Sequence, residues 1–176
     1  MLTTTVGALL LVQQAPAQNV DWDAEFGVEE EERDLVTGEL PVDHYVQDDS
    51  NAGAKPFEES RMAEHFGGRE GIRAIAERTV ELSEADPRIA GIFVAHDTVR
   101  LKRTLFEQFC FILGAGCSYT GRTMSDAHEG MGLRKSDLNA LVENLQRAMR
   151  EASVPFAAQN RFLAKLAPMS QDVIER

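Results

Sequence analysis

His128 closes a short stretch, Met124-Ser125-Asp126-Ala127-His128, with Met124 one helical turn before it. A neutral imidazole donates one ring nitrogen to a metal while the other carries the proton. Beside Met and Leu side chains on a flat apolar surface, that nitrogen is what an iron porphyrin requires. On spacing alone the plainer alternative stands next to it, since a single His on a short helix is also an ordinary surface or hydrogen-bonded residue. None of the other histidines, His44, His65 or His96, is placed as a second ligand. The two cysteines, Cys110 and Cys117, form no Cys-x-x-Cys-His haem-attachment motif and lack partners at zinc-ligand spacing. In a continuous helix they would stand about 10 Å apart, beyond disulfide reach. The break Gly114-Ala115-Gly116 can fold Cys117 back, so a disulfide stands against two free buried thiols.

The elements that carry these residues read as helices. Ile72, Ile75, Ala76, Thr79, Val80 and Leu82 recur at helical spacing over about 69–85, stopped by Asp86-Pro87. Asp97 sits where an N-cap belongs, and Leu101, Leu105, Phe109 and Ile112 carry the next helix to about Leu113. A turn or two spans Met124–Glu129. Ser136 or Asp137 caps a third helix with Leu138, Leu141, Val142, Leu145 and Met149 on one face. Phe156, Phe162, Leu163 and Leu166 belong to a last helix, and a short one near 58–66 comes first. No stretch alternates with period two for long, so the fold class is all-α.

Charge divides the chain unevenly. Residues 1–60 hold 14 acidic and 2 basic side chains, whereas residues 61–176 hold 15 acidic and 16 basic. An acidic arm over 18–57 therefore precedes a nearly neutral body. It reads as extended or disordered, with Trp22, Phe26 or Tyr45 available to drape it on the body, and a docking tail for a basic partner as the alternative. Ahead of it, Val6–Val12 and Ala15-Pro16-Ala17 resemble a secretory signal peptide over 1–17, although the basic n-region is missing. Export to a periplasm is the expectation and a cytoplasmic location the alternative; export also favours the disulfide. The net charge of −11 argues against a nucleic-acid partner, which needs clustered Lys and Arg. No apolar run reaches the roughly 18–20 residues of a membrane span.

Residues 61–170 resemble a group 1 truncated haemoglobin, the two-over-two α-helical globin. The resemblance rests on His65-Phe66-Gly67-Gly68 with Gly71-Ile72-Arg73, Ala85-Asp86-Pro87-Arg88 leading to Phe93, Arg100-Leu101-Lys102, Tyr119-Thr120-Gly121-Arg122, Ala127-His128-Glu129-Gly130-Met131-Gly132-Leu133, and Ala167-Pro168-Met169. It implies a globin domain over 58–174 holding haem b, with His128 as the proximal iron ligand and Phe93 wedged against the porphyrin. Met124, Leu133 and Phe109 line the cofactor in this picture. Lys102 is the implied propionate partner, with Tyr119 and Arg122 as weaker candidates.

The same resemblance places the distal positions on Val80, Leu101 and Leu105, where relatives often carry tyrosine or glutamine. All three are apolar here. A hydrogen bond to a partly charged group is worth roughly 1.5–3 kcal/mol, so dioxygen is expected to leave roughly ten- to a hundredfold faster without one. A hydroxyl from Thr79 or Thr104 would change that if a helix turned slightly. The function expected is reversible binding of a diatomic gas (oxygen, NO or CO) at a five-coordinate haem, with an unidentified electron donor. The alternatives are an NO dioxygenase or peroxidase-like haem enzyme, which wants a distal acid, base or donor, and a haem-free globin-like interaction module.

Overall fold

A computed structural model describes residues 32–58 and 61–176. The expected signal peptide and the aromatic side chains of Trp22 and Phe26 lie outside the described residues. Eight α-helices follow one another among those described: α1 Arg61–His65, α2 Gly68–Ala85, α3 Ala90–Phe93, α4 Thr98–Ile112, α5 Met124–His128, α6 Lys135–Glu151, α7 Phe156–Leu166 and α8 Ser170–Val173. Two 3-10 turns, Asp49–Ala52 and Ala167–Met169, complete the order. No strand occurs among the described residues, and none of their helices is long and apolar enough to cross a membrane.

Helix α2 packs on both α4 and α6, and this crossing generates the core. Its stripe Ile72, Ile75 and Ala76 is at most 1 % exposed and meets Phe106, Phe109 and Ile112 of α4 and Leu145 and Met149 of α6 in one cluster. Phe162 of α7, fully buried, stands edge-on to Phe66 at 5.3 Å and to Phe109 at 5.0 Å, the geometry that aromatic quadrupoles favour.

The helix ends follow their capping chemistry. Asp97 caps α4 by accepting from the Val99 amide at 3.2 Å. For α6 the expected cap is corrected. The helix begins at Lys135, and Asp137 sits in its first turn with its carboxylate reaching back to the Arg134 amide at 2.9 Å. Ser136 donates only to Asp137. An acid in the third helical position does as much for the free amides as one at the cap, so sequence alone does not separate the two placements.

Asp86 ends α2 and ties it to α6. Its carboxylate accepts from Arg88 Nη2 at 2.7 Å, from the Arg88 amide at 3.1 Å and from Asn144 Nδ2 at 3.2 Å. These bonds, those from the Arg88 side chain first, hold the carboxyl well below the usual carboxylate range. A carboxyl with a depressed folded pKa stabilises the fold above its unfolded pKa and loses that contribution as the pH falls. Asp86→Asn is therefore expected to lower the urea midpoint at pH 7, with the gap to wild type narrowing below about pH 4. Urea unfolding from pH 7 down to acid checks this; a gap independent of pH would remove the assignment.

Residues 32–176 form one compact unit, so the second half of the acidic arm belongs with the helices. Apart from the 3-10 turn Asp49–Ala52 it has no regular element, and it lies on the body through Tyr45 and also through a buried acid, Glu39.

Candidate functional site

The turn α5 is built to hold its histidine. Thr123 caps it, accepting from the Asp126 amide at 3.1 Å. His128, half-buried at its last position, has Nδ1 2.7 Å from the Met124 carbonyl oxygen. A carbonyl only accepts, so Nδ1 carries a proton, and in the neutral ring Nε2 is the nitrogen left with a lone pair. Behind the turn the chain is fixed by the C-terminus. The Glu175 carboxylate accepts from the Gly130 amide at 2.7 Å and from the Gly132 amide, and the Glu175 and Arg176 amides donate to the Leu133 carbonyl. Nothing local in the sequence signals this clamp.

Met124 packs against the core, and its sulfur accepts from Gln108 Nε2 at 3.2 Å. Gln108, 6 % exposed, also donates to the Ala52 carbonyl at 3.0 Å, linking α4, α5 and the first 3-10 turn. It sits on the otherwise apolar buried face of α4, and its neighbour Glu107 makes it read in the sequence as part of a polar pair.

The apolar candidates divide by burial. Val80 and Phe109 are buried within the helical body, and Leu133 is buried just after the turn. Phe93, Leu101 and Leu105 stay half-exposed. On α6 the stripe splits: Leu145 and Met149 are in the core, while Leu138, Leu141 and Val142 remain half-exposed. The apolar face of α6 thus extends beyond the protein atoms that pack on it. The two candidate hydroxyls are committed to their own helices. Thr79 Oγ1 donates to the Ile75 carbonyl at 2.7 Å and Thr104 Oγ1 to the Arg100 carbonyl at 3.0 Å.

The polar candidates are placed differently from one another. Lys102 is half-buried and makes no hydrogen bond or ion pair with the described residues. Tyr119 is 5 % exposed and its hydroxyl donates to the Arg122 carbonyl at 3.0 Å. Burial, with Tyr45 and Glu107 nearby, pushes that phenol up to about 12. A Cβ at position 121 would fall inside the Tyr119 hydroxyl, which accounts for the glycine of Tyr119-Thr120-Gly121-Arg122. Arg122 donates to the Asp43 carbonyl at 3.3 Å and lies over the Tyr45 ring. Tyr119 and Arg122 thus serve the loop and the arm.

Cys110 and Cys117 are joined by a disulfide, with a Cα–Cα separation of 5.6 Å. Gly114 and Gly116, at φ 74 and 77, supply the left-handed turns that bring Cys117 back to the end of α4. The bridge pins that helix to the loop leading into α5.

A helical sandwich with a histidine at the end of a one-turn helix defines a globin fold, and the comparisons with known proteins agree. The chain belongs to the bacterial-like globin family, whose model matches residues 61–175. Its relatives are group 1 truncated hemoglobins. It is 27% identical over 116 residues to one from Mycolicibacterium paratuberculosis, covering 66% of this chain and 85% of that one. A second, from Tetrahymena pyriformis, is 25% identical over 111 residues, covering 63% of this chain and 92% of that one. The crystal structure of the Tetrahymena pyriformis protein in its Fe(III) form superposes with a TM-score of 0.63 at 24% identity, covering 65% of this chain and 98% of the other. A Synechococcus 2/2 hemoglobin, solved with covalently attached heme, gives 0.60 at 24% identity and the same coverage. The fold is the two-over-two helical sandwich.

Proposed function

We propose that this globin holds haem b through His128 Nε2 and binds a diatomic gas reversibly on the opposite side of a five-coordinate iron. The observation that carries the reading is the Nδ1 bond to the Met124 carbonyl, which leaves Nε2 as the available donor. The donor set suits the cofactor. Leu101, Phe93 and the open stripe of α6 offer apolar surface that the protein core does not use, and Leu105 is partly exposed while packing on the core. Lys102, without an acidic partner among the described residues, is suited to a propionate. When bound, haem would supply the iron position at which a gas is taken up.

The chain's own residues shape that position. Val80, Leu101 and Leu105 present hydrocarbon there, and the Thr79 and Thr104 hydroxyls are turned to backbone carbonyls. This favours weak oxygen retention, or NO or CO binding, over oxygen activation, which needs a distal donor or acid. The disulfide supports an oxidising compartment, in keeping with export.

The test is a hemin titration of the purified full chain, read in the ferric, ferrous and CO forms. The expected result is one equivalent bound, a Soret band that survives desalting, and a five-coordinate ferrous spectrum. Protein that stays colourless after desalting overturns the reading in favour of a haem-free module.

A further inference from the structure

The arm lies outside the stretch that matches the globin family, yet it is bonded to both sides of the segment containing the candidate site. On the α4 side, Arg33 Nη1 donates to Asp97 Oδ1 at 2.7 Å and the Leu40 amide to Asp97 Oδ2 at 2.9 Å. Arg100 Nη2 donates to the Leu40 carbonyl. Glu39, 6 % exposed, takes Arg103 Nε on one carboxylate oxygen and Arg100 Nη1 at 3.2 Å on the other. On the loop side, Tyr45 Oη donates to the Thr120 carbonyl at 2.9 Å and Asn51 Nδ2 to the Gly121 carbonyl at 3.2 Å. The Tyr119 amide donates to Asp49 Oδ1 at 2.7 Å. Arg103 also meets Glu107 at 2.8 Å, and Glu107 accepts from the Thr120 amide and hydroxyl at 3.0 and 2.7 Å.

We propose that residues 33–51 act as a strap that fixes α4 relative to the loop entering α5, with Glu39 as the positioning residue that anchors it. The inference rests on the haem-binding reading above. Leu101 follows Arg100 directly and Leu105 follows Arg103 by two, so a shift of the arginines carries both distal side chains with it. Between its anchors the strap stands off the helix. A groove of about 660 Å³ there is lined by Val42, His44, Tyr45, Arg100 and Arg103 among others. The hold therefore resides in a few bonds rather than in continuous packing. Among them Glu39 joins two guanidiniums at once, and removing it takes an acid from each, leaving Arg103 on Glu107 at 2.8 Å and Arg100 on Asp97 at 3.9 Å. Arg103 is kept firmly protonated by Glu39 first and Glu107 second.

The test compares full-length wild type, Glu39→Gln and Glu39→Ala by two readouts. Amide hydrogen exchange at Leu40 and Thr120 reads the brace without reference to haem. Flash-photolysis CO rebinding and the C–O stretch read the distal side, and the iron–histidine stretch reads the proximal side. Glu39→Ala is expected to lose protection at both amides, to rebind CO about fivefold faster and to broaden the C–O stretch, with the iron–histidine stretch unchanged. Glu39→Gln, keeping shape and one acceptor, is expected to fall between, and it decides the matter if the alanine variant does not fold. Unchanged exchange and CO kinetics in a folded Glu39 variant overturn the strap. A wild type that takes up no haem overturns the functional reading instead, and exchange at Leu40 and Thr120 then decides the brace alone.

Discussion

His128→Ala is expected to give a folded helical protein that no longer forms the Soret spectrum of a histidine-ligated haem. The imidazole is half-exposed and its hydrogen bond is to its own turn, so little of the core depends on it. The turn keeps its other holds, the Thr123 cap and the Glu175 clamp. Far-ultraviolet circular dichroism should therefore stay close to wild type. The iron, by contrast, loses its protein donor, and what remains is apolar contact with the macrocycle and Lys102 at a propionate. Added imidazole should restore the wild-type spectrum by filling the space left by the side chain. A variant that takes up hemin and shows the wild-type spectrum without imidazole would place the ligand elsewhere.

The helices that read cleanly from the sequence are those whose apolar period coincides with a stop or a cap. The pattern over 69–85 meets the observed Gly68–Ala85 because Asp86-Pro87 ends it, and Asp97 marks the start of α4 within one residue. The one-turn helix before His128 was legible for the opposite reason: the glycines around it leave room for nothing longer. Of the strap, the seat of Tyr45 on the body was expected from the sequence and holds, whereas the Glu39 anchor was not legible. Its sequence announces only charge and turn residues, and the partner of Glu39 lies 64 residues away on a helix whose arginines look like ordinary solvated side chains. Charge composition says that an acid is present and is silent on where it is buried. The open stripe of α6 was hidden in the same way. Leu138, Leu141 and Val142 share the helical period of Leu145 and Met149, and period alone cannot tell a face that meets protein from one that meets a cofactor.

On the proposed reading the distal side lacks a donor because of its side chains, and a single side chain can then supply one. Val80→Tyr is expected to slow dioxygen release roughly ten- to a hundredfold, the equivalent of a hydrogen bond of roughly 1.5–3 kcal/mol at 1.4 kcal/mol per decade. Val80 lies on α2 at 2 % exposure, with Thr79 beside it already bonded to Ile75. The Thr79 and Thr104 hydroxyls are both committed to backbone carbonyls and do not compete for the new role. Val80→Phe supplies the same bulk without the hydroxyl and separates polarity from crowding. The phenylalanine variant should change oxygen release only slightly, and CO release should differ little between the two aromatic variants, because CO depends far less on a distal hydrogen bond. Stopped-flow displacement of oxygen by CO measures both rates. Equal oxygen release from the tyrosine and phenylalanine variants would mean that position 80 does not look onto the iron, and the apolar account of the distal side would have to be withdrawn.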